Sequence, residues 1–272
     1  MYRIGSAGQK RAVTSNGSSR VWPGRRTPRR ATVILAAAGL VVVCLIVVVM
    51  ATRSAGGTGA RGLGLGTRTI SVTAGSRGPG PETRTVDLEA VPGQLIITGS
   101  GTGQIRLTGQ LHWTGHAPYA SVRTAAAQHT LHLDYVCAAG SPCTEDYRLS
   151  VPAGTAVVLS QPSGHVIISG LAAALRITAA SVDVSAAGLR SPSLVASITS
   201  GHLSVVFARA PRRVSLALTS AQATVKLPGT SPGYQVSQQV VSGYVHVGVA
   251  QATSSPHQVQ AQISSGELEL LP

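Results

Sequence analysis

Carboxylates are the residues of this chain best suited to catalysis, and eight of them stand from Arg84 onward. Three, Asp183, Glu267 and Glu269, fall in a C-terminal half that repeats. Glycoside hydrolysis needs two carboxyl groups about 5–9.5 Å apart. In the repeat register Asp183 and Glu269 share an outward row four coils apart, roughly 19 Å at the strand spacing of a β stack. Glu267 and Glu269 are neighbours on the last strand, where charge reads as a guard against edge pairing. His165 and His202 hold one position directly after a small-residue corner, with Ser181 between them. That spacing, about 10 Å, is too long for one shared metal ion. His112, His116, His129 and His132 cluster upstream, and His129 has no acid or nucleophilic serine at a triad-like spacing, so it reads as a solvated strand residue. There is no phosphate-cradling glycine loop followed by Lys and Ser/Thr. Aromatic residues are 3% of the chain, so no stacking platform for single-stranded nucleic acid is evident. Trp113, Tyr119, Tyr135 and Tyr147 gather ahead of the repeats, either as a surface for carbohydrate or peptide or as hairpin packing. The expectation is a chain without catalytic residues, metal or cofactor.

Those side chains hang on a repeated unit. A small dipeptide recurs at Ser163–Gly164, Ala179–Ala180, Ser200–Gly201, Ser220–Ala221, Ser242–Gly243 and Ser265–Gly266, at spacings of 16 to 23 residues. After each comes a strand with alternate apolar residues: Val166 and Ile168, Val182 and Val184, Leu203 and Val205, Ala223 and Val225, Val245 and Val247, Leu268 and Leu270. A period of two sends them all to one face. Upstream, Ile177, Ile198, Leu218, Val240 and Ile263 form a second inward column, with Gln161 as its exception. Each unit is therefore two short strands joined at a corner, with Gly164, Ala180, Gly201, Ala221, Gly243 and Gly266 as corner residues. Glycine suits a corner because it tolerates positive φ and close backbone approach. The pattern predicts an all-β fold, a β-solenoid or β-helix with coils of about 20 residues, each stacking on the next. A β-sandwich of regular hairpins is the alternative.

Cys137 and Cys143 bracket Ala-Ala-Gly-Ser-Pro between two strand-like runs, Thr130 to Val136 and Asp146 to Val151. In an exported domain such a pair reads as a disulfide pinning a hairpin at 137–143. Metal is the poorer alternative, because two thiolates with no third ligand leave a zinc shell incomplete.

The net charge of +13 is unevenly placed. Eight of the basic residues lie in the first 30, which hold no acid, whereas from Arg84 onward ten basic residues face eight acidic ones. The charge is a topology signal and no nucleic-acid partner is expected. Ala31 to Ala51 is uncharged and apolar, long enough at 1.5 Å per residue to cross the bilayer as one helix. A signal peptide is the rival, but its apolar core is ordinarily shorter and no small-x-small cleavage site follows. Basic residues before the span place the N terminus in the cytoplasm and the repeats outside. The expected organisation is a basic tail (1–30), a transmembrane helix (31–51), a Gly-rich spacer (52–83) with an early strand at Thr69 to Thr73, and an extracytoplasmic β domain (84–272). Cys44 lies within the apolar run and reads as a buried apolar side chain.

From Pro92 to Leu271 the chain resembles a bacterial family of unknown function described as putative adhesins, found in cell envelopes of high-GC Gram-positive bacteria. The resemblance rests on Leu95-Ile-Ile-Thr-Gly-Ser-Gly101, Leu111-His-Trp-Thr-Gly-His-Ala-Pro118, the cysteine pair, Val151-Pro-Ala-Gly154 and the recurring Ser-Gly-aliphatic units. Family members usually carry Asp after the Ser-Gly, where this chain has His165, Ser181, His202, Gln222, Tyr244 and Glu267. The resemblance implies an exported β-solenoid-like domain and adhesion in the loose sense of the family description.

Together these features predict a single-pass membrane protein displaying a non-catalytic β-solenoid as an adhesion, interaction or structural module. Its partners would be the lipid bilayer and a cell-wall polymer or another envelope protein. An envelope-stress sensor signalling through the helix is the alternative, and a polysaccharide-cleaving enzyme a more distant one.

Overall fold

The computed structural model describes residues 65–75, 85–90, 92–125 and 130–272. The basic tail, the apolar span Ala31 to Ala51 and most of the spacer lie outside them. Among the described residues no helix is long and apolar enough to cross a membrane.

The regular elements of the described chain are all strands: β1 (Leu65–Gly75), β2 (Thr85–Glu89), β3 (Gly93–Ser100), β4 (Gln104–Thr114), β5 (Tyr119–Ala125), β6 (Thr130–Val136), β7 (Cys143–Pro152), β8 (Ala156–Ser169), β9 (Leu175–Leu189), β10 (Ser193–Phe207), β11 (Arg213–Lys226), β12 (Gln235–Val240), β13 (Tyr244–Val247) and β14 (Gln258–Leu271). The all-β expectation is borne out. The early strand expected at Thr69 to Thr73 is the middle of β1, and β1 pairs antiparallel with β4.

The long strands β8 to β11 and β14 pair side by side, parallel and in register. Each is two strand halves divided at a small-residue corner. The division shows at the ends of the stack: β8 pairs with β2 through its first half and with β3 through its second. In the same way β14 pairs with β12 and then with β13. The sheet therefore has two arms. The first runs β5, β6, β2, β8, β9, β10, β11, β14, β12, and the second runs β1, β4, β7, β3, β8, β9, β10, β11, β14, β13.

Inward side chains of both arms make one core. In the first arm Leu88, Leu159, Ile177, Ala196, Leu216 and Ala261 stand in one register row, and in the second Ile97, Ile168, Ala186, Val205, Val225 and Leu270 stand in another. All twelve are buried. Large and small residues share each row, so neighbouring rungs interlock where uniform side chains would leave voids. Full burial stabilises by about 1.5–3 kcal/mol for each larger aliphatic side chain.

Chain order and stacking order differ at both ends, which corrects the expectation that each coil stacks on the next. The last strand, β14, lies between β11 and the β12/β13 coil that precedes it in sequence. At the other end the early β2/β3 coil lies between β8 and the later β6/β7 coil. The connections carry this rearrangement. Residues 190–192 suffice between β9 and β10, whereas 227–234 pass over a rung and 248–257 return by one. Tyr234 fastens the two longer segments together: it is buried, its hydroxyl donates to Pro228 O at 2.7 Å, and its backbone pairs with Ala250 and Ala252. His257 packs edge-on against its ring at 5.7 Å and donates Nδ1–H to Pro211 O. Glu267 and Glu269 thus belong to an interior strand, not to an edge they could guard.

Cys137 and Cys143 are disulfide-bonded, with Cα atoms 5.7 Å apart. They do not pin a hairpin. β6 pairs with β5 and β2, β7 pairs with β4 and β3, and the two do not pair with each other. The disulfide closes the corner between the arms at the one coil that turns through a longer loop. Thr114 N donating to Pro142 O and His116 N donating to Ser141 Oγ hold that loop against the end of β4.

Candidate functional site

The corners set which side chains line up outside. Gly93, Gly164, Val182, Gly201, Ala221, Gly266 and Gly243 occupy one register position across the stack. Five are glycines with positive φ, between 108° and 152°. A Cβ at Gly201 would lie 2.3 Å from Val182 O, and one at Gly266 would lie 2.1 Å from Ala221 O. Backbone approaches backbone here, so glycine is required at these rungs.

The predicted corners Gly164, Gly201, Ala221, Gly243 and Gly266 all fall on this line. Ala180 does not. Ser181 pairs with Ser163 and Ser200, and Val182 with Gly164 and Gly201. The corner of β9 is therefore Ser181–Val182, with a buried valine where glycine was sought. Corner spacings become 18 to 23 residues. Gly93 is a corner the sequence reading missed. Its signal was present in Pro92-Gly93 followed by Leu95 and Ile97, the same small-then-alternating pattern.

Moving the β9 corner by two residues changes the outward row. Asp183, not Ser181, stands between His165 and His202. It is not in the row of Glu269 either; its row contains Glu267. Followed across the second arm, that row is Thr69, Gln110, Asp146, Gln94, His165, Asp183, His202, Gln222, Glu267 and Tyr244. Ten outward side chains, one per strand, span about 43 Å at the ~4.8 Å strand spacing. Three are acids, two are histidines, and none is Lys or Arg.

Asp183 is the centre of the row. Its Oδ1 accepts from His202 Nδ1–H at 3.1 Å, and its Oδ2 lies 3.8 Å from His165 Nε2. The bond from His202 holds the Asp183 carboxyl below its ordinary value, with smaller help from the His202 backbone and the charges of both rings, against a partial opposing effect of desolvation. The rings meet opposite oxygens of one carboxylate. Among the described residues no three His, Cys, Asp or Glu side chains converge as a metal site. Ser181 and Ser200, one step back at the corner, share a 3.0 Å hydroxyl contact, and Ser200 Oγ also donates to Ala180 O. The result is a polar, exposed ladder whose side chains link β8, β9 and β10.

At the N-terminal end of this row a depression of about 420 Å³ opens beside Gln94, Gln110, Asp146 and Arg148, with Ile96 on its floor. Gly109 lies beneath it, where a Cβ would strike the Tyr147 ring, so the buried tyrosine fills the space that glycine leaves. Tyr147 is core and Trp113 packs against the core. Tyr119 is 69% exposed on β5. Of the aromatic residues expected to gather, Tyr147 and Trp113 are thus turned to the interior and Tyr119 to the surface. His112 and His116 lie on and just after β4, His132 pairs with Asp87 at 3.1 Å on the first arm, and His129 falls outside the described residues.

Two-armed parallel stacking around an aliphatic core, with one long outward polar row, defines an all-β rack protein. The chain belongs to the Toastrack DUF4097 family, whose model matches residues 92–270. Among solved structures it is similar to a putative cell adhesion protein from Clostridium sporogenes, at 12% identity and a TM-score of 0.40, covering 74% of this chain and 98% of that one. It is also similar to a putative adhesin from Bacteroides fragilis, at 13% identity and a TM-score of 0.38, covering 76% and 97%. A putative adhesin from Parabacteroides merdae matches at 9% identity, with a TM-score of 0.25 over 76% and 96%. No curated protein matches the chain.

Proposed function

We propose that this protein is a non-catalytic interaction module, held at the membrane by Ala31 to Ala51 with its N terminus in the cytoplasm and its rack outside, and that the outward row of the second arm is its contact face. The rack is read as a β-solenoid whose coils of about 20 residues keep that row straight. One observation carries the proposal: side chains from ten strands lie in one line, held in place by in-register pairing and not by a loop. A rigid row at the ~4.8 Å spacing suits an extended chain of regularly placed polar groups, such as a wall polymer, better than a compact substrate. Asp146, Asp183 and Glu267 make it acidic, and the histidines and glutamines add donors and acceptors suited to hydroxyls and amides.

Two measurements test this reading. Protease shaving of intact cells should remove the C-terminal portion, and survival of that portion would refute the outside placement. Purified full chain should be retained by insoluble wall polymer, with retention falling on Asp183→Asn and on His165→Ala. Retention equal for all three, or none at all, counts against the row.

A further inference from the structure

The stack ends on β12 and β13, whose outer edges pair with nothing among the described residues. Proteins ordinarily blunt such an edge with charge, proline or a bulge, because its free N–H and C=O groups template another strand. Here no Asp, Glu, Lys or Arg stands between Lys226 and Glu267, and neither strand contains proline. Seven large apolar side chains are exposed among the described residues, and three of them, Val240 at 41%, Val241 at 88% and Tyr244 at 58%, fall within five consecutive positions at the Ser242–Gly243 corner. Behind them Val236, Val245 and Val247 hold inward positions and are only partly buried, while the first-arm row from Leu88 to Ala261 ends on exposed Gln238. The core reaches this end and is left open there.

We propose that this end coil is a homodimer interface, on which a second copy of the chain stacks end to end about a two-fold axis through the corner. That operation lays each copy's first arm over the other's second arm with strands antiparallel, inward face over inward face, so the two cores become continuous. The segment suits it because its apolar pattern reads nearly alike in both directions: Val240, Val241, Ser242, Gly243, Tyr244, Val245. In the symmetric register Val241 lies opposite the partner's Tyr244, Val240 opposite the partner's Val245, and Ser242 opposite the partner's Gly243. The exposed apolar side chains cover one another, and no like charges meet.

A head-to-tail stack does not fit. The opposite end of the sheet is covered by antiparallel β1 and β5 and carries the exposed Arg123–Asp134 pair. An isologous contact closes at two copies, which an unguarded edge requires if it is not to grow into fibres. Ten edge residues at about 3.3 Å each give each copy an edge of roughly 33 Å along which the two coils meet.

The test uses the full chain in a Cys44→Ala background, extracted in mild detergent, which leaves only the bonded Cys137–Cys143 pair. Ser242→Cys sits beside the axis and should give a dimer-sized band under mild oxidation, whereas Arg209→Cys, exposed on a connection along the side of the stack, should not. Adding Val241→Lys should reduce the Ser242→Cys dimer at least tenfold. Combining Val241→Lys with Tyr244→Glu sets opposite charges across the axis and should restore it. A Ser242→Cys chain that stays monomeric, that couples to a protein of another mass, or whose charge pair fails to restore the dimer overturns the proposal.

Discussion

The two ends of the stack solve one problem differently. Both tuck a terminal segment of the repeat one rung inward, β2/β3 at one end and β14 at the other, so that each has both edges paired. A terminal strand sandwiched in this way cannot fray without breaking two ladders. Beyond that rung the ends diverge. The N-terminal end is finished by a disulfide-closed corner, by antiparallel β1, β4 and β5, by the ion pair Arg123–Asp134 and by the Asp87–His132 contact. The C-terminal end stops on a charge-free coil with exposed Val241 and Tyr244. Interior rungs carry stability, a capped end preserves it, and the bare end is free for association.

Substitutions should separate these regions in order of effect. Gly201→Val places a side chain on a residue with φ of +108° and within 2.3 Å of Val182 O. It should cost about 3 kcal/mol or more, or prevent folding, because backbone strain and backbone clash combine. Ile177→Ala and Leu159→Ala empty buried positions in central rungs and should each cost about 2–5 kcal/mol in urea unfolding. Val240→Ala, in the bare coil, should cost clearly less when unfolding is followed on the monomer, where much of its surface already meets water. Equal losses at Ile177 and Val240 would erase the distinction between interior and end.

Replacing Cys137 and Cys143 by alanine reopens a short loop. The chain-entropy model puts the loss at about 2 kcal/mol. The smallest effect belongs to the outward row. The folded Asp183 carboxyl is held below its ordinary value by His202. A depressed carboxyl contributes stability that is present above the unfolded value, near 4, and that fades as pH falls through the folded one. Asp183→Asn should therefore lower stability slightly at neutral pH and leave it nearly unchanged at low pH, which flattens the acid side of the stability profile. A carboxyl titration of Asp183 at or above 3.8 contradicts the His202 bond.

Much of the architecture was legible because one physical rule repeats. Alternation marked the inward residues of β8, β10, β11 and β14, and small dipeptides marked five of the corners. The failures share a cause. Val182 occupies a corner that has no glycine, so a search for small corner residues settles two positions early and shifts Asp183 out of the row where it binds His202. Gln161 looked like an exception to an apolar column, yet it is buried in that column and donates to Ser163 O at 2.9 Å. Stacking order was faint in local pattern, because β11, β12/β13 and β14 share one inward alternation. The hints were the greater length of 227–234 and 248–257, and Gln238 at the inward position that Leu216 holds on β11 and Ala261 on β14.

The rearranged order at the bare end is the claim on which the contact row and the dimer edge both depend. Paired cysteines on the outward face test it directly in a Cys44→Ala background, since adjacent rungs lie within disulfide reach and alternate rungs do not. Thr224→Cys with Glu269→Cys should couple readily, because β11 and β14 are neighbours there, while Thr224→Cys with His246→Cys should not. Coupling of 224 with 246 in place of 269 would mean that the coils stack in chain order and that the account is wrong.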